Sequence, residues 1–366
     1  MTPTDRRFMQ LALALAGRGL GSVWPNPAVG CVLVREGRIV GRGWTQPGGR
    51  PHAEVRALQQ AGDEARGATA YVTLEPCAHY GKTPPCASAL IAAGVARVVS
   101  AMEDPDPRVH GGGHQMLRDA GIAVSVGVME SEARALQAGF LTRITSGRPW
   151  ISLKLATSFD GRIATASGES QWISGPQARA HVHALRARFD AVMVGGGTAR
   201  ADDPLLTVRS FTPLHQPLRV VASQGLDLPR GRLAGSLGQA PLWLLHGPDA
   251  PEEARSYWAG QGAEVIGVPL SDGQLDLRAA MAELGARGLT RVFCEGGGAF
   301  GAGLLRAGLV DELIGFTAGV GLGSEGRPGL GALQLAHLSD APRFDLIESR
   351  VIGGDLFHRW RRQIHA

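Results

Sequence analysis

The sequence predicts an α/β protein made of two layered domains. Three observations predict it. The chain has 366 residues, more than a single hydrophobic core usually serves. Helix-like and strand-like apolar periods alternate along both halves. The stretch 145–149, punctuated by Gly147 and Pro149, interrupts that alternation. The expected domains are therefore residues 1–146 and 147–366. An apolar fraction of 44% is ordinary for a globular chain, whereas 52 glycines and 5% aromatics point to many tight turns and close backbone approaches.

In the first half, Phe8, Leu11, Ala12 and Leu15 recur at helical spacing, so residues 5–17 read as an amphipathic helix. Strands around 28–34 and 38–43 follow. His52 to Gln60 reads as a helix, Ala70 to Leu74 as a strand, Cys86 to Ala93 as a helix and Arg97 to Ala101 as a strand. A helix near 112–119 and a strand near 122–126 close this half. The second half restarts with a strand over Trp150–Leu155. Helix 176–188 follows, then strands Ala191–Val194, Leu218–Val221 and Leu242–Leu245, helix 277–286 and strand Arg291–Cys294. Two of these strands run into glycines, Val194 into Gly195-Gly196-Gly197 and Cys294-Glu295 into Gly296-Gly297-Gly298. Neither matches G-x-G-x-x-G, so a Rossmann dinucleotide fold is not indicated. The chain has no internal repeat and no low-complexity tail.

Charge argues against nucleic acid as a partner. The 37 basic and 33 acidic residues are spread without blocks, and no basic patch is interleaved with aromatics. A phosphorylated small molecule is the expected anion. Two arginines before a short apolar run, RRFMQLALALAG, invite a twin-arginine export reading. We reject it, because the run stops at Arg18, keeps helical spacing and falls short of a signal core of ~7–15 apolar residues. No segment approaches the ~20 apolar residues of a membrane span, so no membrane partner is expected. Of four cysteines, Cys77 and Cys86 stand in proline-flanked positions downstream of His52-Ala-Glu54. That pattern is a metal site rather than a disulfide pair, and it places the protein in a reducing cytoplasm.

A zinc ion that activates water takes three protein ligands and keeps a fourth position open. One imidazole, His52, and two thiolates, Cys77 and Cys86, supply the three. Glu54, two residues beyond His52 at the start of the expected helix, is placed to carry protons without occupying the metal. The set follows the zinc-deaminase signature H-x-E…P-C-x-x-C, with one difference: Cys77 and Cys86 are nine positions apart, with the loop AHYGKTPP between them. His79 lies in that loop. A fourth protein ligand would leave no place for water, so His79 and Lys82 are read as facing the substrate. Asn26, on a turn before the first strand, either reads a base edge or closes an Asx turn. Cys31 and Cys294 read as small core residues, and His110 and His114, bordering a glycine run, as surface polar residues.

The strings HAEVRAL at 52–58 and YVTLEPCAHYGKTPPC at 71–86 resemble the RibD family, the bifunctional deaminase–reductases of riboflavin biosynthesis. The second half agrees independently: KLATSFDG at 154–161, SGESQWIS at 167–174 and GTARADDPLLTVR at 197–209 are similar to that family's reductase motifs and come in the same order. The resemblance implies an N-terminal cytidine-deaminase-like three-layer α/β domain and a C-terminal dihydrofolate-reductase-like α/β domain. It implies Zn2+ and NADPH as cofactors and two reactions on a phosphorylated pyrimidine. The first is hydrolytic deamination of 2,5-diamino-6-(5-phosphoribosylamino)pyrimidin-4-one. The second is reduction of the ribosyl side chain of 5-amino-6-(5-phosphoribosylamino)uracil to ribityl.

By the same resemblance Ser170, Arg186, Leu206, Arg209 and Glu295 map to substrate contacts, and Ala156, Trp172, Thr198, Asp202 and Ser223 to NADPH contacts. Arg186 and Arg209 suit phosphate oxygens. Gly296, Gly297 and Gly298 form a strand-to-helix loop whose bare N–H groups can approach a pyrophosphate. Lys154 is either a buried cation near the substrate or a snorkelling strand-end residue, and Asp202 is a candidate proton donor. Two departures from the family concern fine contacts only: Ala222 stands where an aspartate is common, and Gly195–Gly197 replaces more varied residues. The competing readings are a nucleobase or tRNA deaminase with an accessory nucleotide-binding domain, which leaves the second half unexplained, and a catalytically silent binder, which leaves the intact His52, Glu54, Cys77 and Cys86 unexplained. A homo-oligomer is expected.

Overall fold

The computed structural model describes residues 2–78, 84–106 and 109–363, so His79 and Lys82 lie outside the described residues. The chain forms two compact units, Met1–Gly147 and Arg148–Ala366. In the first unit, helix α1 spans Pro3–Ala16. It begins two residues before the expected start because Thr2 and Asp5 close a reciprocal cap, Thr2 Oγ1 accepting from the Asp5 N–H at 3.1 Å, with Pro3 in the first turn. Strands β1 (Gly30–Arg35) and β2 (Arg38–Trp44) form a hairpin, followed by α2 (Ala53–Ala61) and β3 (Thr69–Val72). Then come α3 (Cys86–Ala92), β4 (Arg97–Ser100), α4 (Gly112–Asp119), β5 (Ala123–Val126), α5 (Glu130–Leu136) and α6 (Ala138–Ser146). The sheet order is β2-β1-β3-β4-β5, with β1 antiparallel to both neighbours and the β3-β4-β5 pairs parallel.

Three glycines set how closely helices approach this sheet. A Cβ at Gly30 would stand 1.9 Å from the Ala12 carbonyl of α1, and one at Gly41 or Gly43 about as close to the carbonyls of Ala57 and Ala53 on α2. The register pairs Gly30 with Trp44 and Cys31 with Gly43, so Gly30 and Gly43 face opposite sides of the pleat. Helices α1 and α2 therefore cover opposite faces, which makes three layers. Cys31, Val32 and Leu33 on β1 are fully buried between them.

The second unit continues with β6 (Trp150–Ser158), β7 (Arg162–Ala164), α7 (Pro176–Arg186), β8 (Ala191–Gly195), α8 (Gly196–Asp202), β9 (Leu218–Ala222) and α9 (Arg232–Gly235). Next are β10 (Leu242–His246), α10 (Glu252–Gly260), β11 (Glu264–Gly267), the short pair β12 (Leu270–Ser271) and β13 (Gln274–Leu275), α11 (Leu277–Ala286), β14 (Arg291–Cys294) and α12 (Gly298–Arg306). The unit ends with β15 (Glu312–Ala318), β16 (Arg327–Pro328), which pairs with β7, and the hairpin β17 (Phe344–Ile352) and β18 (Asp355–Arg362). The large sheet has the order β11-β10-β9-β8-β14-β6-β15-β18-β17. It is parallel from β11 to β15 and antiparallel at the C-terminal hairpin. Strand β6 runs past the expected Leu155 to Ser158 because Ala156, Thr157 and Ser158 pair with Phe316, Thr317 and Ala318 of β15.

Candidate active sites

In the first unit, two helix N-termini and one strand end converge. His52 occupies the cap position of α2 in extended conformation, Cys86 is the first residue of α3, and Cys77 follows β3. His52 Nδ1 lies 3.2 Å from Cys86 Sγ and 3.7 Å from Cys77 Sγ, and the three ligand atoms all lie within 4.8 Å of one another. The Cys86 backbone N–H donates to Cys77 Sγ at 3.3 Å. The Cys86 thiol, hydrogen-bonded to Cys77, holds the Cys77 thiol down at about 4, while Cys77 and burial push Cys86 up. Contact with Cys77 raises the His52 imidazole. Glu54, in the first turn of α2, is buried, and burial pushes its carboxyl up to about 7. Two sulfurs and an imidazole beside a separate carboxylate fit a zinc ion with an open position.

Sequence reasoning did not single out Glu75, two residues before Cys77. Its buried carboxylate accepts four backbone N–H groups: Oε1 from Gly113 at 2.9 Å and His114 at 3.2 Å, Oε2 from Gly111 at 3.0 Å and Asp104 at 3.2 Å. It thereby ties the start of α4 to the Cys77 segment. The available signal was a carboxylate placed directly before Pro76-Cys77. His114 corrects an expectation. It is not a surface residue but fully buried, with Nε2 2.8 Å from Ser100 Oγ and Nδ1 3.8 Å from Glu75, and burial lowers its pKa. Gly113 instead lets the α4 start close onto the Pro76 carbonyl, where a Cβ would stand at 1.8 Å. His110 is exposed and Cys31 and Cys294 are buried, as expected. The amide of Asn26 packs against Gly49, where a Cβ would stand 1.9 Å from Nδ2. Asn26 is thus fixed on the segment that leads into His52.

In the second unit, Arg186 at the end of α7 grips Glu295 after β14 with two bonds, Nε to Oε1 at 2.5 Å and Nη2 to Oε2 at 3.1 Å. Its Nη1 donates to the Thr207 carbonyl at 2.8 Å. Burial raises the Glu295 carboxyl, but Arg186 outweighs it and the net shift is downward. Lys154 on β6 belongs to the same cluster: burial lowers its pKa, with Glu295 opposing and Arg186 adding to the shift. Leu206 is buried at φ +56°, and Arg209 is exposed within the field of Arg186 and Glu295. The Thr207 hydroxyl is buried and has no hydrogen-bond partner among the described residues.

The two glycine-rich turns are neighbours because β8 and β14 are adjacent strands. The Gly297 N–H donates to Thr198 Oγ1 at 2.8 Å and ties them together. A Cβ at Gly197 would meet nothing within 4 Å, and one at Gly297 only Thr198 Oγ1. Gly298, which opens α12, packs against the Pro328 and Gly329 carbonyls, so it is the backbone of Gly197 and Gly297 that borders open space and leaves room for a pyrophosphate. Ser223 Oγ, at the end of β9, donates to Asp227 at 3.2 Å, and Asp227 also holds Arg200. Burial raises the Asp202 carboxyl at the end of α8. Ala156 is half-buried on β6, and Ser170 half-buried on the loop before α7. Trp172 is 67% exposed with the Arg179 guanidinium 4.5 Å from its ring centre.

Comparison with known families bears on both units. Residues 149–357 match the RibD C-terminal domain, and residues 2–102 match the cytidine and deoxycytidylate deaminase zinc-binding region. The riboflavin biosynthesis protein RibD of Escherichia coli is 47% identical over 96% of this chain and 98% of its own. The chain belongs to the RibD family. The Haemophilus influenzae member is 44% identical over 96% of both chains. The solved RibD of Acinetobacter baumannii superposes with a TM-score of 0.88 at 39% identity, covering 99% of both chains. A Thermotoga maritima structure described as a diaminohydroxyphosphoribosylaminopyrimidine deaminase/5-amino-6-(5-phosphoribosylamino)uracil reductase superposes at 0.85 with 33% identity, covering 98% of this chain and 99% of its own. As in the rest of the RibD family, a zinc-binding deaminase domain precedes a reductase domain in one enzyme, and zinc and NADPH are its cofactors.

Proposed function

We propose that the chain carries out two successive steps of riboflavin biosynthesis, with His52, Cys77 and Cys86 as metal ligands and Glu54 as the proton carrier. The observation that carries the reading is the closure of one imidazole and two sulfurs within 4.8 Å beside a buried carboxylate. Bound zinc supplies a water of lowered pKa. Glu54 would then move protons from a water to the ring nitrogen and the departing amine, so that oxygen replaces nitrogen on the ring and ammonia leaves. Asn26, fixed near the entry to His52, binds the pyrimidine.

In the second unit NADPH supplies the hydride for the sugar carbon. Arg186 and Arg209 hold the substrate phosphate, Glu295 and Lys154 fix the charge around them, and Ser170 and Leu206 complete the substrate contacts. Ala156, Trp172, Thr198, Asp202, Ser223 and Gly296–Gly298 hold the cofactor. The test supplies purified, zinc-loaded protein with the diaminopyrimidinone ribosyl phosphate, with and without NADPH, following ammonia and NADPH separately. Ammonia release without NADPH and NADPH loss once deamination has occurred are expected. No ammonia overturns the first assignment, and no NADPH loss on the deaminated compound overturns the second.

Two further parts of the reading concern setting. The free cysteines suit a reducing cytoplasm, and among the described residues no helix is long and apolar enough to cross a membrane. The edge hairpin exposes Leu346, Ile347, Val351 and Leu356, with Val351 75% exposed. An apolar edge strand of this kind is a template for self-pairing, and we assign homo-oligomer contacts to it. Light scattering is expected to give more than the 38.4 kDa monomer, with Val351→Lys shifting it downward. An unchanged assembly would remove this surface from the interface.

A further inference from the structure

We propose that His183 is a positioning residue of the reductase site, latching the Leu206–Arg209 segment to helix α7 so that Arg209 is held beside Arg186. The proposal rests on the assignment of Arg186 and Arg209 to the substrate phosphate. His183 stands one turn before Arg186 on α7, on the same face. Its Nδ1 accepts the backbone N–H of Arg209 at 3.3 Å, two residues past the Thr207 carbonyl. That carbonyl takes the 2.8 Å bond from Arg186 Nη1. One helix face thus reaches the segment at residues 207 and 209.

The segment needs holding. It has no strand partner, and Leu206 adopts φ +56°, a region that side chains other than glycine seldom occupy. Gln216 pins Val208 from the far side, its Oε1 accepting the Val208 N–H at 2.7 Å and its Nε2 donating to the Val208 carbonyl at 2.9 Å. His183 provides the connection on the side of Arg186.

Charge explains why the residue is an imidazole and not a cation. Lys154, Arg186 and Arg209 face a single carboxylate, Glu295. Arg232 also acts on Arg209, and this positive surplus suits a phosphate monoester. Burial first, then Arg186 and Arg209, hold His183 down at about 4, so at neutral pH it adds no charge and keeps a lone pair for the Arg209 N–H.

The test uses the full chain and measures reduction of supplied 5-amino-6-(5-phosphoribosylamino)uracil by His183→Ala, His183→Asn and Arg209→Ala. His183→Ala is expected to raise KM for the phosphorylated substrate about tenfold, with kcat, KM for NADPH and ammonia release within about twofold of the parent. His183→Asn, whose side-chain oxygen can take the Arg209 N–H, is expected to restore most of the loss. A normal KM in His183→Ala alongside a raised KM in Arg209→Ala overturns the latch while leaving the phosphate assignment intact. A normal KM in Arg209→Ala overturns the assignment itself and the latch with it. Equal loss in kcat and in KM for NADPH, unrescued by asparagine, assigns His183 to general stability and also overturns the latch. If the alanine variant does not fold, His183→Leu fills the same volume without the acceptor and is judged by the same KM criterion.

Discussion

A carboxylate and its amide isostere at position 54 differ chiefly in the ability to take up and release a proton. Glu54→Gln is therefore expected to lower ammonia release by at least about a hundredfold, while metal analysis still finds zinc and supplied intermediate is still reduced. Loss of the metal instead would make Glu54 a ligand. Asp5 offers a separate test in the same unit. Burial raises its carboxyl, but Arg97, Thr2 and Tyr71 together outweigh burial and hold it at about 2. Its folded value lies below the unfolded value of about 3.9, so its contribution is present above about pH 4 and is lost as pH falls through about 2. Asp5→Asn should cost roughly 2 kcal/mol at pH 7 and much less at pH 2, measured by urea unfolding. The clustering of His52, Cys77 and Cys86, with Glu54 two residues from His52, was legible in the sequence because it is written in short local spacings. Glu75 was not, because its partners lie 29 to 39 residues downstream. His114 was misread because neighbouring glycines suggest a surface loop whether or not the chain folds back over it. His183 carries no motif, and its role emerges only once the irregular segment after α8 is seen against α7.

At the scale of elements, the position of α2 sets the candidate site, since His52 caps it and Glu54 sits in its first turn. That position depends on Gly41 and Gly43, where strand and helix backbones meet without side chains between them. Gly43→Ala places a methyl 2.1 Å from the Ala53 carbonyl and must push the N-terminal end of α2 outward. A loss of about 1–3 kcal/mol is expected, together with weaker zinc binding in a chelator competition; unchanged zinc affinity would show that the ligands do not depend on this contact. Helices α1 to α4, α7 and α11 and the parallel strands β3 to β6, β8 to β10 and β14 were readable from apolar runs. The hairpin β17–β18 was not, because β17 lies at the sheet edge with most of its side chains exposed, so no burial alternates along it. Strands β15 and β11 and helices α10 and α12 were also absent from the expected order. Their short apolar runs and glycines carry no period long enough to separate helix from strand.

For the whole molecule, the residues proposed for the two chemistries form separate sets, one in each unit. Chelating the metal should therefore abolish ammonia release and leave NADPH consumption on supplied intermediate unchanged; a parallel fall in both would mean that zinc also supports the reductase fold. The sheet order of the second unit has a consequence for descent. From β8 the chain builds β9, β10 and β11 outward and then returns to lay β14 on the other side of β8. The two glycine-rich turns, 195–197 and 296–298, thus meet across a closed excursion of the chain. Connections on that flank can gain or lose residues over evolutionary time without displacing either glycine turn, provided that the strand returns. Length variation among relatives should collect there, while the spacing from β14 to α12 stays fixed.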